Sequence, residues 1–343
     1  MHILLIKMSS MGDVIHTLPA LTDAMREIPG LKIDWVIEPA FSDIPTWHPA
    51  VDRVIPIALR QWRKQFFKSI RSGEIAQFYK ILRQKKYDVI IDAQGLLKSA
   101  IVSKLGNGKT HGFDKNSIRE KIAAYFYDHA YSIDRNQHAI TRTRKLFASA
   151  LKYDFTDTRP DFNIDPNKLP TLNFPLPEKY GVFIHGTTWA TKHYPEIYWE
   201  KLLETAGAEK LPVYLPWGNT TEKNRAEKWA SRFSNAVVLP TLSIAQIATV
   251  LKNAAAVVTV DTGLGHLSAA LTIPTIALYG PTDPNKVNIV GNHAIPLSAV
   301  FPCAPCGKKI CAYAKTHKTE ITPACYTTID PDIVWREIRK ILL

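Results

Sequence analysis

Residues 256–271 read AVVTVDTGLGHLSAAL. The opening AVVTV is rich in β-branched residues and lacks polar alternation, as in a strand buried on both faces of a parallel sheet. Asp261 ends it, and Thr262-Gly263-Leu264-Gly265 then open a helix with His266 in its first turn. Glycine lets the main chain approach a ligand closely, and the free N–H groups and dipole of a helix start favour a phosphate. The plainer reading is a strand–turn–helix in which Asp261 caps and His266 packs.

Outward from this stretch the same rhythm repeats. Residues 180–185, 211–215, 236–239 and 274–279 read as strands, with helices near 195–206, 221–233, 243–253 and 263–271. The first half carries an equivalent series. Strands are expected at 2–7, 32–37, 53–57 and 88–92, and helices at 14–27, 74–86 and 96–105. Strands alternating with helices predict an α/β fold of two Rossmann-like domains facing across a cleft, with ligands beyond the carboxyl ends of the strands. Pro160, Pro166, Pro170, Pro175 and Pro177 mark a linker. The expected division is 1–165 for the first domain, 166–177 for the linker and 178–328 for the second domain. A last helix over 329–343, with Asp330 as N-cap and Pro331 at its first position, is expected to return to the first domain.

Length and composition fit this plan. The chain has 343 residues, 46% hydrophobic and 22% charged, enough for two domains with separate cores. No run approaches the ~18 apolar residues of a membrane-spanning helix. At the N-terminus, Lys7 breaks the apolar run after Ile6, which reads as a first strand rather than a leader and implies a cytoplasmic protein. The net charge of +12, from 43 Lys and Arg against 31 Asp and Glu, calls for an anionic partner. Arg60, Arg63, Lys64, Lys68 and Arg71 concentrate that charge beside Trp62, Phe66 and Ile70 at every fourth position. One reading is a helix at an anionic membrane surface; the other is an apolar stripe facing the core beneath a solvated basic face. No nucleic-acid-binding module accompanies the charge.

Three more stretches carry chemistry. HGTTWATKHYP, 185–195, follows a strand: Thr187 and Thr188 suit phosphate oxygens, and Lys192 a pyrophosphate leaving group, unless the threonines merely cap the next helix. Glu222, in WGNTTEK, is placed either for ribose hydroxyls or as a first-turn acid of its own helix. KMSSMGDVIHTLP, 7–19, puts Ser9, Ser10 and Asp13 at the end of the first strand. Asp13 is a candidate general base or an N-cap; at a helix start its carboxylate is stabilised, so any proton transfer to it comes late in the reaction. The four cysteines, Cys303, Cys306, Cys311 and Cys325, are spaced C-x2-C-x4-C-x13-C, which matches no standard zinc ribbon and admits either a structural zinc site or thiols that are reduced or adventitiously oxidised.

Residues 7–21 (KMSSMGDVIHTLPAL), 91–100 (IDAQGLLKSA), 187–193 (TTWATKH) and 260–271 (VDTGLGHLSAAL) together resemble the bacterial lipopolysaccharide heptosyltransferases of glycosyltransferase family nine. The similarity in spacing extends over nearly the whole chain. The resemblance implies the GT-B fold and inverting transfer without a metal or other cofactor. It implies transfer of L-glycero-D-manno-heptose from ADP-heptose to Kdo of Kdo-lipid A, at the inner face of the cytoplasmic membrane and with no nucleic-acid partner. By motif, Asp13 is the implied base. Thr187, Thr188, Lys192, Glu222, Asp261, Thr262, Gly263, Leu264 and His266 hold the donor; Ser9, Ser10, Arg60, Arg63, Lys64, Gln94 and Lys98 face the acceptor. Three departures from the family pattern stand out: Trp189-Ala190-Thr191 replaces a more polar run, Gly265 stands where Ser is common, and the larger one is the cysteine-bearing tail, which resembles tails of other family members and admits an acceptor-side loop. The rival readings are a paralogue adding a later heptose or another sugar, and a non-catalytic nucleotide-sugar-binding protein.

Overall fold

A computed structural model describes residues 1–342, with the side chain of Phe66 outside the described set. The chain divides into two units, Met1–Lys168 and Leu169–Leu343. In the first, six strands run in parallel: β1 His2–Ile6, β2 Lys32–Ile37, β3 Val51–Pro56, β4 Val89–Asp92, β5 Thr110–Phe113 and β6 His129–Tyr131. Their spatial order is β3-β2-β1-β4-β5-β6. The second unit holds β7 Gly181–Ile184, β8 Val213–Leu215, β9 Ala236–Val238, β10 Ala256–Val260, β11 Thr275–Tyr279 and β12 Ala294–Ser298. Its order, β12-β11-β10-β7-β8-β9, repeats the first, again with all neighbours parallel. Each sheet therefore reverses its winding once, between β1 and β4 and between β7 and β10, where crossovers to opposite faces leave a crevice at the carboxyl ends.

Burial explains the strand positions. Ile3, Leu4, Leu5 and Ile6 have no exposed surface, and neither have Val257, Val258, Thr259 and Val260. Gly265 has a packing reason: a Cβ there would lie 2.7 Å from Thr259 Cγ2, so the helix Gly263–Ala270 seats closely on β10 only without a side chain.

The structure corrects several expectations. The helix expected over 14–27 is two helices, Met11–Ile15 and Leu18–Glu27, with Pro19 in the first turn of the second. The basic stretch is likewise broken, into Leu59–Lys64, Phe66–Arg71 and Glu74–Leu82. Trp62 is buried and its indole N–H donates to Glu74, whereas Ile70 is 52% exposed, so the two do not share an inward stripe. The final helix, Pro331–Leu342, packs onto the core of the second unit. Its apolar face, Val334, Trp335 and Ile338, joins a core with Trp199, Leu202 and Leu278, and the Trp335 indole N–H donates to Glu209 at 2.9 Å. Asp330 does cap it, accepting the Asp332 N–H at 2.8 Å. Among the described residues, no helix is long and apolar enough to cross a membrane.

Trp335→Ala is expected to cost about 3–5 kcal/mol, as for other buried aromatic truncations. Urea unfolding measures it, and a cost under about 1 kcal/mol would mean that the last helix contributes little to the second core.

Candidate active site

Each pair of sequence motifs lands on the winding reversal of its own sheet. In the second unit the loop after β7 carries Thr187, Thr188 and Lys192, and the corner after β10 carries Asp261, Thr262, Gly263, Leu264 and His266. The two are bonded together. Thr187 Oγ1 donates to the Asp261 carbonyl at 3.1 Å, and Lys192 Nζ lies 2.6 Å from Asp261 Oδ2. His266 Nε2 lies 3.7 Å from Asp261 Oδ1. Burial opposes ionisation of Asp261, but the His266 hydrogen bond and the Lys192 ammonium prevail and hold its carboxyl down at about 2. Lys192 is also stacked 4.6 Å above the Trp189 ring. Its charge is thereby fixed in place beside the start of the helix Gly263–Ala270, where the N–H groups of Gly263 and Leu264 precede the first bonds to the Thr262 carbonyl.

Glu222 joins this corner from the helix Thr220–Ala230, which follows β8. Its Oε2 accepts the Gly218 N–H at 2.7 Å, and Asn219 caps the helix by accepting the Glu222 N–H at 3.0 Å. A Cβ on Gly186 would stand 2.5 Å from the Glu222 carboxyl carbon, so that glycine lets the β7 loop close against the acid. Thr188 is exposed on the same loop.

Sequence reasoning missed two supports of this loop. Arg225 donates to His185 Nδ1 and to the His185 carbonyl, both at 3.1 Å. Burial first, and then the Arg225 and His193 charges, push the His185 imidazole down to about 3, so it remains neutral near pH 7. Arg225 lies three residues after Glu222 on one helix face, which is the signal that was available.

In the first unit the corresponding reversal gathers the ends of β1 and β4. Asp13 sits in the third position of its helix and reaches back to Ser10: its Oδ2 accepts the Ser10 N–H at 3.1 Å and the Ser10 hydroxyl at 2.7 Å. Lys7, buried and missed as a functional residue, donates to the Ala93 carbonyl at 3.0 Å and places its ammonium 3.8 Å from Asp13 Oδ1. The Asp13 side chain is still 47% exposed, so the supported anion remains accessible to solvent. The N-cap reading of Asp13 is corrected: Ser10 is the N-cap, and Asp13 is the acid three residues on that bonds back to it while its carboxylate stays reachable.

Gln94 locks this corner. Its Oε1 accepts the N–H groups of Met8 and Ser9 at 2.9 and 3.2 Å, and Asp92 in turn accepts the N–H groups of Gln94 and Gly95 at 2.8 and 3.1 Å. Burial raises the Asp92 carboxyl above its ordinary value, against the Tyr127 hydroxyl, which donates to it at 2.7 Å. Ser9 is buried, Ser10 exposed, and Lys98 is exposed on the helix Leu97–Leu105 after β4. Arg60, Arg63 and Lys64 are exposed on the helix that follows β3. In a parallel sheet all carboxyl ends share one edge, so these cations leave the sheet on the Asp13 edge, two strands or about 10 Å from β1.

Two parallel sheets with charged groups gathered at the winding reversals, one of them a buried carboxylate–lysine pair, define an α/β protein of the nucleotide-binding kind, and comparison with known proteins specifies it further. The profile of glycosyltransferase family 9 (heptosyltransferase) matches residues 75–317, and the chain belongs to that family. It is 47% identical over 351 residues to lipopolysaccharide heptosyltransferase 1 of Pseudomonas aeruginosa, covering 100% of this chain and 98% of the relative. Among solved structures it is similar to Escherichia coli heptosyltransferase WaaC with ADP, at 41% identity and a TM-score of 0.86, over 99% of this chain and 100% of that one. WaaC with ADP-2-deoxy-2-fluoro heptose gives 41% identity and a TM-score of 0.83, over 99% of each chain. The chain is accordingly a GT-B glycosyltransferase of the lipopolysaccharide heptosyltransferases.

The Asp261 site has a measurable signature. The folded value of about 2 lies below the unfolded value of about 3.9, so its contribution is complete above pH ~4 and is lost as pH falls toward 2. Denaturant unfolding between pH 5 and pH 2 is expected to show a loss on the order of 2 kcal/mol in the wild type that is absent in Asp261→Asn. Equal acid slopes in the two proteins would refute this role of the pair.

Proposed function

We propose that this chain transfers L-glycero-D-manno-heptose from ADP-heptose to Kdo of Kdo-lipid A, adding the first heptose of the inner core by direct, inverting displacement. The observation that carries this reading is the placement of both motif pairs on the two winding reversals, in a chain so similar along its length to a lipopolysaccharide heptosyltransferase 1. The WaaC structures hold ADP and a fluorinated ADP-heptose, which supports the donor.

Asp13 takes the proton of a Kdo hydroxyl as that oxygen attacks the anomeric carbon. Ser10 and Lys7 stabilise the Asp13 anion and weaken it as a base, so the proton moves late, when the attacking oxygen has become acidic. On the leaving side the diphosphate gains charge as the glycosidic bond breaks. Lys192, the Thr188 hydroxyl, the Thr187 hydroxyl once it turns from the Asp261 carbonyl, and the first-turn N–H groups at Gly263 and Leu264 meet that charge, and Glu222 receives the ribose hydroxyls. Asp261 and His266 serve this arrangement by fixing Lys192 and the helix corner. Arg60, Arg63, Lys64 and Lys98 are cations for the Kdo carboxylate and lipid A phosphates.

The deciding experiment follows ADP release from ADP-heptose with heptose-free Kdo-lipid A. Wild type is expected to turn over only with acceptor present. Asp13→Asn should lose about a hundred- to ten-thousand-fold in kcat with donor binding intact, and Lys192→Ala should raise the barrier by ~3–4 kcal/mol. Turnover only on an acceptor that already bears heptose would favour the paralogue reading. Donor binding without turnover on any acceptor would favour a binding protein.

Contact with an anionic membrane surface belongs to the same proposal. Phe67 and Ile70 are 86% and 52% exposed, among the exposed cations Arg60, Arg63, Lys64, Lys68 and Arg71. Exposed apolar side chains amid basic ones suit the headgroup region of acidic lipid. Co-sedimentation is expected with vesicles containing anionic lipid, falling with salt and weakened by Lys68→Glu with Arg71→Glu. Equal binding to purely zwitterionic vesicles would remove the electrostatic basis.

A further inference from the structure

Residues 299–330 form a long segment with little regular structure, in which the helix Tyr313–Thr316 and the turn Ala324–Thr328 are the described elements. Loops of this length without a core of their own ordinarily need another constraint. All four cysteines of the chain fall here. Although spread over 23 positions of sequence, Cys303, Cys306, Cys311 and Cys325 line one small cavity, together with Thr191, Pro281 and Lys308. All four are free thiols.

Three further observations point to a ligand for those sulfurs. Cys303 and Cys306 form a C-x2-C turn closed by Gly307, whose φ of +61° is open to glycine and strained for other residues. That spacing offers two sulfurs to one ion from a tight turn. Lys308 borders the cavity and Lys309 follows it, supplying positive charge beside a group that would carry a net charge of about −2 as a divalent ion with four thiolates. Cys325 is buried and lines the same cavity as the other three cysteines, which brings a sulfur from the far end of the segment up to the C-x2-C turn. Among the described residues no three of the sulfurs stand within 4.8 Å of one another, so binding would draw the turn and Cys311 inward by a short distance.

We propose that Cys303, Cys306, Cys311 and Cys325 bind one thiophilic divalent ion, zinc or iron, as a structural tetrathiolate that pins this segment behind the Lys192 loop. Binding exchanges four thiol protons for one M²⁺ and involves no change of oxidation state. The link to the donor corner is direct. Thr191, which precedes Lys192, donates to the Lys308 carbonyl at 2.6 Å, and Tyr326, which follows Cys325, donates its hydroxyl to the Lys192 carbonyl at 2.9 Å. The ion would hold from behind the loop that presents the Lys192 ammonium; this functional consequence, unlike the site itself, rests on the reading of Lys192 given above.

The test is metal analysis of the purified full chain by plasma mass spectrometry, beside thiol titration of the folded protein. About one zinc or iron per chain is expected, with the thiols unreactive until a chelator is added. Cys303→Ser with Cys306→Ser should lower the metal at least tenfold. Should that variant fail to fold, cobalt(II) added to chelator-treated wild type should give the sulfur-to-metal charge-transfer and intense visible bands of tetrahedral thiolate cobalt. Four freely reactive thiols with no metal, or octahedral cobalt spectra, would overturn the proposal. Removal of the ion is expected to raise the KM for ADP-heptose several-fold. A stoichiometric ion in a chain without heptosyl transfer would count against the functional reading alone, and full transfer in a metal-free chain against the metal site alone.

Discussion

The constraint on which the rest depends is the single reversal of winding in each parallel sheet. Where β1 parts from β4 and β7 from β10, consecutive crossovers go to opposite faces, and the loops at the carboxyl ends cannot cover one another. Polar and charged groups can stay reachable there while being positioned by strands that are wholly buried. Asp13 and Gln94 occupy one such place, Lys192 and Asp261 the other. The packing elsewhere, including the close seat of Gly265 on Thr259, serves to keep those strand ends fixed.

Electrostatics at the two reversals differ in kind. In the second unit a buried carboxylate is matched to an ammonium and an imidazole, an arrangement whose desolvation cost is large and whose benefit is position as much as stability. Lys192 is thereby held in place between Asp261 and the Trp189 ring. In the first unit Asp13 is half exposed and is supported by neutral donors and by a lysine at a longer distance. One site is built to fix a charge, the other to leave a carboxylate accessible. The Asp92–Gln94 relay, which grips the main chain at Met8 and Ser9, does for Asp13 what Asp261 does for Lys192.

Much of this was legible in the sequence because strand-end chemistry is local. A β-branched run followed by Asp-Thr-Gly, or by His-Gly-Thr-Thr, announces both the strand and the polar corner after it. Edge elements were harder. β5 (THGF) and β6 (HAY) are short and carry histidines, and β12 (AIPLS) contains a proline, so none has the apolar run that marks a central strand. The helix Ala139–Leu151 was passed over as well, although Ile140, Leu146, Phe147 and Leu151 give it a buried face. Periodicity alone misled at Trp62 and Ile70: a four-residue spacing indicates one face only if the helix is continuous, and here it breaks at Gln65.

By itself, then, the sequence determined the α/β class, the two-domain repetition and the identity of the groups at the strand ends, because these follow from propensity and short-range order. Tertiary structure alone decided the rest: that Lys7 stands beside Asp13, that Gln94 clamps the first loop, that Arg225 braces His185, that the last helix joins the second core, and that four scattered cysteines share one cavity. Each is a contact between residues distant in sequence or on different elements. Such contacts depend on strand order and helix direction, which no local pattern encodes.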